Sequence, residues 1–365
     1  MNNNSVLGRD WISKNYSQET VNFLKDNFNL SEIVSKLIAI RNIKIEEVKL
    51  FLNPKIKNLL PNPFILKDMD KAVNRVINGI KKKEKFGIFG DYDVDGATST
   101  AVLGNYFNEI NQKVEIYIPD RKTEGYGPSR TGFEKLISQG SNLIFTVDCG
   151  TLSFDTINFS QEKKTDVLVL DHHQSDLKLP NAFSIVNPNR YDDNSKLNYL
   201  CAAGVCFMFL VALNKKLRDI NWFQNNNLKE PNLIDYLDLV SLGTVCDVVP
   251  LIGLNRAFVS QGLEIFKKKS NLGLKTLKNI CGIETNLNTH HLGYVIGPRI
   301  NAGGRVGRCA HGANLLLSKN SKEVFKIASE LETYNKERKL IESDMLNKIE
   351  NNINIDSKEP IILLS

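Results

Sequence analysis

The chain has 365 residues, of which 42% are hydrophobic and 24% charged, and this composition excludes a disordered or fibrous protein. The length allows one large domain or two ordinary ones, each with a full hydrophobic core. The net charge of +6 is compatible with nucleic acid binding. Because Asn and Lys are abundant along the whole chain, this charge alone identifies no anionic partner.

Membrane and export signals are weak in this sequence. The apolar run at 205–213 is about half as long as the roughly 18 residues that a membrane span requires, so we expect no membrane association. Residues 1–17 contain no basic segment followed by an apolar one. The six cysteines lack paired metal-binding spacings, which favours inert thiols in a reducing compartment. We therefore predict a cytoplasmic protein.

The first predicted elements are helical. Residues 1–70 form an N-terminal helical segment that ends at the proline-marked stretch "LPNPFILKDM". The lysine run at 81–83 follows a helical pattern, and a basic helix C-terminus is its simplest interpretation.

Short apolar runs then alternate with helical patterns, and the helices are predicted at 97–110 and 129–138. The runs are continuously apolar, which is typical of buried strands, and lie at 86–90, 114–118, 143–147 and 167–170. This alternation predicts an α/β fold, a parallel sheet with helices on both faces. Ligands of such sheets gather at the carboxyl ends of the strands.

Beyond the sheet, helices are predicted at 202–218 and 233–245, and the α/β domain as a whole at 71–318. A long charged pattern at 319–352 predicts one extended connecting helix. The apolar run "IILLS" at the end of the chain resembles a strand. We interpret 353–365 as the truncated start of a second domain.

Acidic and histidine residues follow three of the predicted strands, and an arginine, Arg121, follows the fourth. A further aspartate closes an apolar helix in "SLGTVCDVVPL". The set comprises Asp91, Asp93, Asp95, Asp148, His172, His173 and Asp247. Each piece alone has an ordinary explanation: a solvated acidic turn, an incidental histidine pair or a helix end. An EF-hand is disfavoured because "DYDVDG" lacks the downstream glutamate. Their joint appearance favours a binding site.

A cluster of carboxylates needs positive charge to exist at close quarters. Carboxylate oxygens with one or two imidazoles suit Mn²⁺ or Mg²⁺ better than a structural zinc. Because there are more carboxylates than one ion can use, a two-metal centre is plausible. Gly96 allows the chain to turn so that Asp93 and Asp95 can reach different ions.

The motifs "DYDVDG", "VDCGT", "LDHHQ" and the aspartate of "GTVCDVVPL", in this order, resemble the DHH phosphoesterase family. The stretches "IPDRKTEGYG", "NPNRYDD" and "GPRINAGGRVG" are similar to those of its RecJ-type members, the single-stranded-DNA-specific 5′ exonucleases. Specific motifs cover residues 87 to about 317. The resemblance implies that 71–318 is a DHH phosphoesterase catalytic domain.

The resemblance also implies a site for two manganese ions, with magnesium as the alternative. By this analogy Asp93 binds one ion, Asp95, His172 and Asp247 bind the other, and Asp148 bridges them.

In the same analogy Asp91 supports the ligands and His173 faces the scissile phosphate, so that these two and Asp148 are the predicted catalytic residues. Water activated by the two ions would release mononucleotides from the 5′ end of single-stranded DNA, in DNA repair and recombination. The implied protein partners are a single-strand-binding protein or a RecQ-type helicase.

Five residues are predicted to bind substrate. Arg121 could reach a phosphate near the metals. Arg299, Asn301 and Arg305 lie in a Gly-rich stretch that we interpret as a loop, whose guanidinium groups and exposed amides would clamp phosphates. A plain turn is the alternative for this stretch. Tyr126 could stack on a base or serve as a loop anchor.

The sequence departs from the RecJ-type pattern in two places. Cys309 and Ala310 stand where relatives tend to carry an acidic or small polar residue. RecJ-type proteins also continue past the long helix into a DHH-associated domain and usually an OB-type domain. Without them the chain would carry the metal-binding half of the cleft alone. We then expect no processive digestion, which leaves open hydrolysis of short oligonucleotides or activity restored by a separate partner.

Two other functions remain as alternatives. One is a DHH phosphodiesterase that acts on short oligonucleotides or cyclic dinucleotides, although the Gly-rich and "EGYG" stretches argue against it. The other is a non-catalytic single-strand-binding scaffold, which is disfavoured because every predicted ligand position holds a residue able to bind metal.

Overall fold

The computed structural model describes residue 12 and residues 14–352. Two compact units divide the chain, one ending at Asn58 and one beginning at Leu59. The strand predicted within 353–365 lies outside the described residues. Among the residues described, no helix is both long and apolar enough to cross a membrane.

The first unit is helical, with serine caps at its helix starts. Ser17 and Ser31 each accept a backbone N–H from the first turn of the next helix. Leu24, Ile38 and Val48 form its small core. Its helices are α1 (Gln18–Phe28), α2 (Glu32–Ile40) and α3 (Val48–Leu52), and α4 (Ile56–Leu59) spans the boundary between the units.

In the described part of the second unit, five strands form one parallel sheet in the order β2-β1-β3-β4-β5. This confirms the predicted α/β fold class. The fifth strand was not predicted, because three residues are too few to give a pattern. The strands are β1 (Lys85–Gly90), β2 (Val114–Tyr117), β3 (Ser141–Val147), β4 (Asp166–Leu170) and β5 (Ser184–Val186).

The helices that precede or connect the strands are α5 (Met69–Lys81), α6 (Val94–Glu109), α7 (Arg130–Ser138) and α8 (Phe154–Glu162). Two of them, α6 and α7, were predicted at 97–110 and 129–138, and their observed bounds lie within three residues of these. The helices that come after the sheet are α9 (Ala202–Asp219), α10 (Trp222–Asn225), α11 (Leu237–Cys246), α12 (Gly253–Lys268), α13 (Leu272–Ile280), α14 (Gly297–Arg305), α15 (His311–Leu317) and α16 (Ser321–Asn352). A π-helical segment, His291–Ile296, leads into α14.

Both faces of the sheet are covered because alternate strand residues point to opposite sides. On one face, Phe89 and Ile144 pack with Phe133 of α7 and Ile157 of α8. On the other, the Phe145 ring lies 5.3 Å from the Phe107 ring of α6 and 5.9 Å from the Phe209 ring of α9, measured between centroids. Burial on both sides explains why the strands are continuously apolar.

The register of the sheet aligns four strand ends. Gly90 pairs with Val147, Val147 with Leu170, and Leu170 with Val186. The residue after each end therefore falls in one row along the carboxyl edge. The chain leaves β1 toward β2 on one side and returns as β3 on the other, so the switch point of the sheet lies between β1 and β3. Crevices form at such points because neighbouring connections diverge.

Phe145 offers a test of this core. We expect Phe145→Ala to lower the free energy of unfolding by about 3–5 kcal/mol, since it removes a fully buried ring that contacts Phe107 and Phe209. Equilibrium denaturation would measure the change. Phe325→Ala is the control, because that ring is 61% exposed. Equal losses in the two variants would contradict this packing.

Candidate metal centre

The aligned strand ends place a row of buried polar side chains at the switch point. These are Asp91, Asp148, Asp171 and Asn187, one after each of β1, β3, β4 and β5. Their backbone amides extend the ladder by one bond: Asp91 N–H donates to the strand end of β3, Asp148 N–H to that of β4, and Asp171 N–H to that of β5, at 3.1 to 3.3 Å. Neighbouring strands lie about 4.8 Å apart, so these side chains are held close together.

The loop after β1 combines structural and chemical roles. Asp93 caps α6, since its side chain accepts the Gly96 N–H at 3.0 Å. Asp95 lies in the first turn of α6 and accepts the backbone N–H groups of Ala202 and Ala203, at 2.6 and 3.0 Å. These amides begin α9, so one buried carboxylate faces two helix N-termini, where negative charge is favoured.

Asp148 is a buried carboxylate with an unusual backbone conformation. It is 2% exposed and adopts a positive φ of 60°, which is strained for a residue with a side chain. Its Oδ1 has no hydrogen-bond donor and lies 3.2 Å from His172 Nε2. Burial and the charges of Asp95 and Asp93 hold the pKa of Asp148 well above its ordinary value.

His172 lies among three carboxylates. Its Nε2 is 3.2 Å from Asp148 Oδ1 and 3.8 Å from Asp95 Oδ2, while its Nδ1 is 3.6 Å from Asp247 Oδ2. His172 Nε2 and Asp247 Oδ2 are buried and lack hydrogen-bond partners. Asp247 follows the last turn of α11, an unfavourable place for an anion. A helix-end role therefore does not account for Asp247.

The predicted set missed Asp171, a buried residue that organises the histidine pair. Its Oδ1 accepts the backbone N–H groups of His172 and His173 and the Nδ1 of the His173 ring, the last at 2.7 Å. Its Oδ2 accepts the N–H and hydroxyl of Thr151, at 3.1 and 2.6 Å. Asn187, also missed, donates to the Thr151 hydroxyl and the His173 carbonyl. The signal for Asp171 was present, because it directly follows a strand as Asp91 and Asp148 do.

These contacts shift the protonation of the cluster in opposite directions. Burial, reinforced by Asp93, raises the pKa of Asp91 to about 7, and burial with Asp95 raises that of Asp247 to about 8. Burial also opposes ionisation of Asp171, but hydrogen bonds led by that of His173 hold its pKa below the ordinary value. The same bond raises the pKa of His173 to about 9. Asp171 and His173 thus compensate each other.

Among the residues that the structure describes, three groups of side chains could each hold a metal ion, since one ligand atom from each member lies within 4.8 Å of the others. They are Asp95–His172–Asp247, Asp91–Asp93–Asp148 and Asp148–His172–His173. The unpartnered atoms of Asp148, His172 and Asp247 are donors that a cation would satisfy. Carboxylate and imidazole donors without thiolates fit Mn²⁺ or Mg²⁺. The grouping also brings Asp91, expected only to support the ligands, within ligand range.

Comparison with known proteins identifies the family of the chain. A family model described as the DHH family, N-terminal domain, matches residues 85–244. The single-stranded-DNA-specific exonuclease RecJ of Bacillus subtilis is 33% identical over 337 residues, which cover 92% of this chain and 41% of that protein. RecJ of Escherichia coli is 35% identical over 319 residues, which cover 87% and 55%.

A solved structure extends the match to three dimensions. A crystal structure of exonuclease RecJ bound to manganese matches with a TM-score of 0.69 at 32% identity, covering 80% of this chain and 70% of that one. The chain belongs to the DHH family and to its RecJ branch. It spans about half the length of the curated RecJ proteins just named, 41% and 55%.

Two predicted substrate residues lie near this DHH centre. The Tyr126 hydroxyl is 3.1 Å from His173 Nε2, and its side chain is 59% exposed. Arg121 is exposed, with its guanidinium 5.4 Å from the centroid of the Tyr92 ring. The backbone N–H of Arg121 donates to the Cys309 thiol at 3.3 Å. Cys309, a departure from the RecJ-type pattern, thus contacts the loop that carries Arg121.

The interpretation of the Gly-rich stretch as a loop was wrong, because residues 297–305 form α14. Its amides are therefore largely used within the helix. Its glycines allow close packing: a Cβ on Gly297 would lie 2.5 Å from Cys246 Sγ, and one on Gly304 3.1 Å from the Tyr92 ring. Helix packing, rather than turn formation, accounts for these two glycines.

The three substrate residues predicted on α14 have different surroundings. Arg299 is largely buried, forms an ion pair with Glu332 of α16 and donates to the Val295 carbonyl at 2.7 Å. To clamp a phosphate, Arg299 would have to break that pair. Asn301 has a buried Oδ1 without a partner, and Arg305 is exposed.

We expect Asp171→Asn to lower the pKa of His173 from about 9 toward the ordinary imidazole value of about 6.5, because the amide cannot stabilise the imidazolium. The His173 ring would then be mostly neutral at pH 8. NMR titration of the histidine Cε1–H signals in metal-free protein would measure the shift. Asp176→Asn, an exposed change five residues away, is the matched control. An unchanged His173 titration in Asp171→Asn would contradict the assignment of Asp171.

Proposed function

We propose that this chain is the catalytic part of a metal-dependent nuclease that removes mononucleotides from the 5′ end of single-stranded DNA, in DNA repair and recombination. The proposal rests mainly on three buried atoms at the switch point of the sheet that could bind a metal and that lack hydrogen-bond partners. They belong to Asp148, His172 and Asp247. The RecJ relatives, named as single-stranded-DNA-specific exonucleases, support the substrate. The 5′ direction rests on the family resemblance, since a carboxylate cluster does not distinguish strand ends.

The donor geometry is compatible with two ions. Asp95, His172 and Asp247 would hold one ion, and Asp93, together with Asp91, the other. Asp148 would bridge them, because its side chain belongs to the second group and its Oδ1 is 3.2 Å from His172. Mn²⁺ is the preferred ion by analogy with the manganese-bound relative, and the oxygen donors also suit Mg²⁺. When bound, divalent cations in such a site act as Lewis acids on a phosphoryl group and make water a stronger nucleophile at neutral pH.

The surrounding residues would orient the scissile phosphate. His173 is held by Asp171 at Nδ1 and presents a side chain that is 45% exposed, so its cationic ring can contact a phosphate oxygen. Tyr126 lies against the same ring and offers an exposed aromatic face to a base.

A groove beside this site could carry the strand. It has a volume of about 670 Å³ and is lined by basic residues from three segments of the chain, together with apolar residues of α16. The basic residues are Arg121, Lys122, Arg305 and Arg338, of which Arg338 pairs at 2.9 Å with Glu342, also in the lining. Cationic side chains along a groove bind the phosphate backbone of a nucleic acid whatever its base sequence. This supports the predicted phosphate contacts of Arg121 and Arg305. A single-strand-binding protein or a RecQ-type helicase as partner stays a prediction from the family.

The metal proposal makes a prediction that does not depend on activity. The raised pKa of Asp148 means that its charged form is disfavoured in the metal-free fold, so stability falls as pH rises above the ordinary carboxyl range. We expect Asp148→Asn to stabilise the protein in EDTA at pH 7.5 by about 1 kcal/mol or more, because it removes a buried carboxyl group whose ionisation the metal-free fold disfavours.

Thermal melts with and without Mn²⁺ would test this expectation. Mn²⁺ should raise the Tm of the wild type and have little effect on Asp148→Asn. Asp176→Asn should match the wild type under both conditions. An Asp148→Asn variant that is less stable in EDTA, or that is stabilised by Mn²⁺ as much as the wild type, would contradict the proposed ligand.

The activity itself can be tested with Mn²⁺ and 5′-labelled single-stranded DNA, alongside dinucleotides as a second substrate. We expect mononucleotide release from the DNA, and at least a 100-fold loss in Asp148→Asn, since the loss of one strong electrostatic contact can cost about 2.7–4 kcal/mol. Turnover of dinucleotides alone would favour the small-substrate phosphodiesterase. Binding of DNA without turnover of either substrate would favour the scaffold.

A further inference from the structure

A second concavity lies at the amino ends of β1 and β2, on the edge of the sheet opposite the metal centre. Its volume is about 680 Å³. The lining residues come from the end of α5, the starts of β1 and β2, and α10. Those that bear on the argument are Lys81, Lys83, Lys85, Lys113 and Trp222.

The positive charge of this concavity is largely uncompensated. Lys81, Lys83 and Lys113 are exposed, and within 14–352 none of them has an acidic partner in ion-pair range. Lys85, by contrast, pairs with Glu115 at 2.8 Å. The acidic residue of the lining, Glu84, faces Arg75 at 2.7 Å. A role in capping the helix could account for Lys81 in the last turn of α5, but it does not account for Lys113, which precedes β2.

An aromatic side chain accompanies these cations. Trp222 begins α10, is partly exposed and lines the same concavity, with its ring 5.4 Å from the Phe223 ring in an edge-on arrangement. Phe223 is buried, so one side of this ring pair is covered. Asn111 and Asn226 also belong to the lining. An indole beside several free cations suits a ligand that has both phosphates and a planar base.

The site is separate from the metal centre. Lys85 begins β1, and Asp91 comes directly after its last residue. At about 3.3 Å per residue the strand holds the two sites about 20 Å apart. A group bound beside Trp222 therefore cannot touch the metal ligands.

We propose that this concavity is a second binding site for single-stranded nucleic acid, in which Lys81, Lys83 and Lys113 contact phosphates and Trp222 stacks on a base. It would hold a part of the strand distant from the bond being cut. The proposal does not require the metal centre to be catalytic, and its test uses metal-free protein, so that its failure and that of the nuclease proposal can be told apart.

Trp222 provides a direct reporter. The sequence contains two tryptophans, so Trp11→Phe leaves Trp222 as the source of indole fluorescence. We expect an oligothymidylate to quench this signal to saturation in EDTA. Lys81→Glu, Lys83→Glu and Lys113→Glu together should weaken binding at least ten-fold. They should also reduce the slope of log affinity against log salt by about 2, since each phosphate contact with a single strand contributes about 0.7.

Fluorescence anisotropy of a labelled oligothymidylate tests the stacking separately. Trp222→Ala should weaken binding about ten-fold, and Trp222→Phe should largely restore it, because any aromatic face can stack. Asp176→Asn should still quench normally, since Asp176 is exposed and follows β4 at the other edge of the sheet.

A charge control uses three exposed lysines from the start of α16 and the turn before it, changed together to glutamate: Lys319, Lys322 and Lys326. If this triple variant weakens binding as much as the first, only net charge matters and the proposal is overturned. Quenching by poly-glutamate as strong as that by DNA would instead identify a site for acidic polypeptides, and would also overturn it.

Discussion

The close approach of buried carboxylates at one edge of a parallel sheet is the constraint on which the site depends. The strand register brings Asp91 and Asp148 side by side, and α6 and α11 add Asp95 and Asp247. In a low-dielectric setting such charges repel strongly and favour protonation. Burial first, and then the neighbouring aspartates, raise the pKa values of Asp91 and Asp247 to about 7 and 8. Divalent cations are the simplest means of offsetting the cost of this repulsion.

The fold lowers part of this cost without any cation. Asp95 accepts two amides at the start of α9, and Asp93 caps α6, so helix N-termini stabilise two of the charges. The negative charge of Asp171 is stabilised by hydrogen bonds from the His173 ring and the Thr151 hydroxyl. Asp148 has no such donor at Oδ1, and its strained backbone is held by the ladder bond to β4. The fold thus stabilises the negative charges of Asp93, Asp95 and Asp171 more than that of Asp148 Oδ1. This difference is typical of a functional site.

Much of this arrangement was readable in the sequence. The four predicted strands differ from the observed ones by at most two residues at either end, because strands buried on both faces are continuously apolar. The acidic positions after them were recognisable because carboxyl ends of parallel strands meet at one edge. Asp171 was passed over in favour of the two histidines, although its position after β4 is the same. β5 and Asn187 were missed because a three-residue strand gives no pattern.

The Gly-rich stretch shows the limit of such patterns. Glycines usually indicate turns, yet Gly297 and Gly304 are on a helix and mark close contacts with Cys246 and Tyr92. Those contacts join segments far apart along the chain, so no local signal reveals them. The same holds for Arg299, which forms an ion pair with Glu332, and for Lys113 and Trp222, which meet the lysines at the end of α5.

The fold class, the strand positions and the residue types able to bind metal can be inferred from the sequence, since these depend on local periodicity and on the residues directly after each strand. Which carboxylates accept a hydrogen bond and which do not is visible only in the tertiary structure, because the hydrogen-bond donors come from distant segments of the chain. In the folded chain, the aspartates of "DYDVDG" form one side of a cluster. Its other members follow β3, β4 and α11. The clustered negative charge favours the binding of a cation, and the register of the sheet determines where the carboxylates cluster.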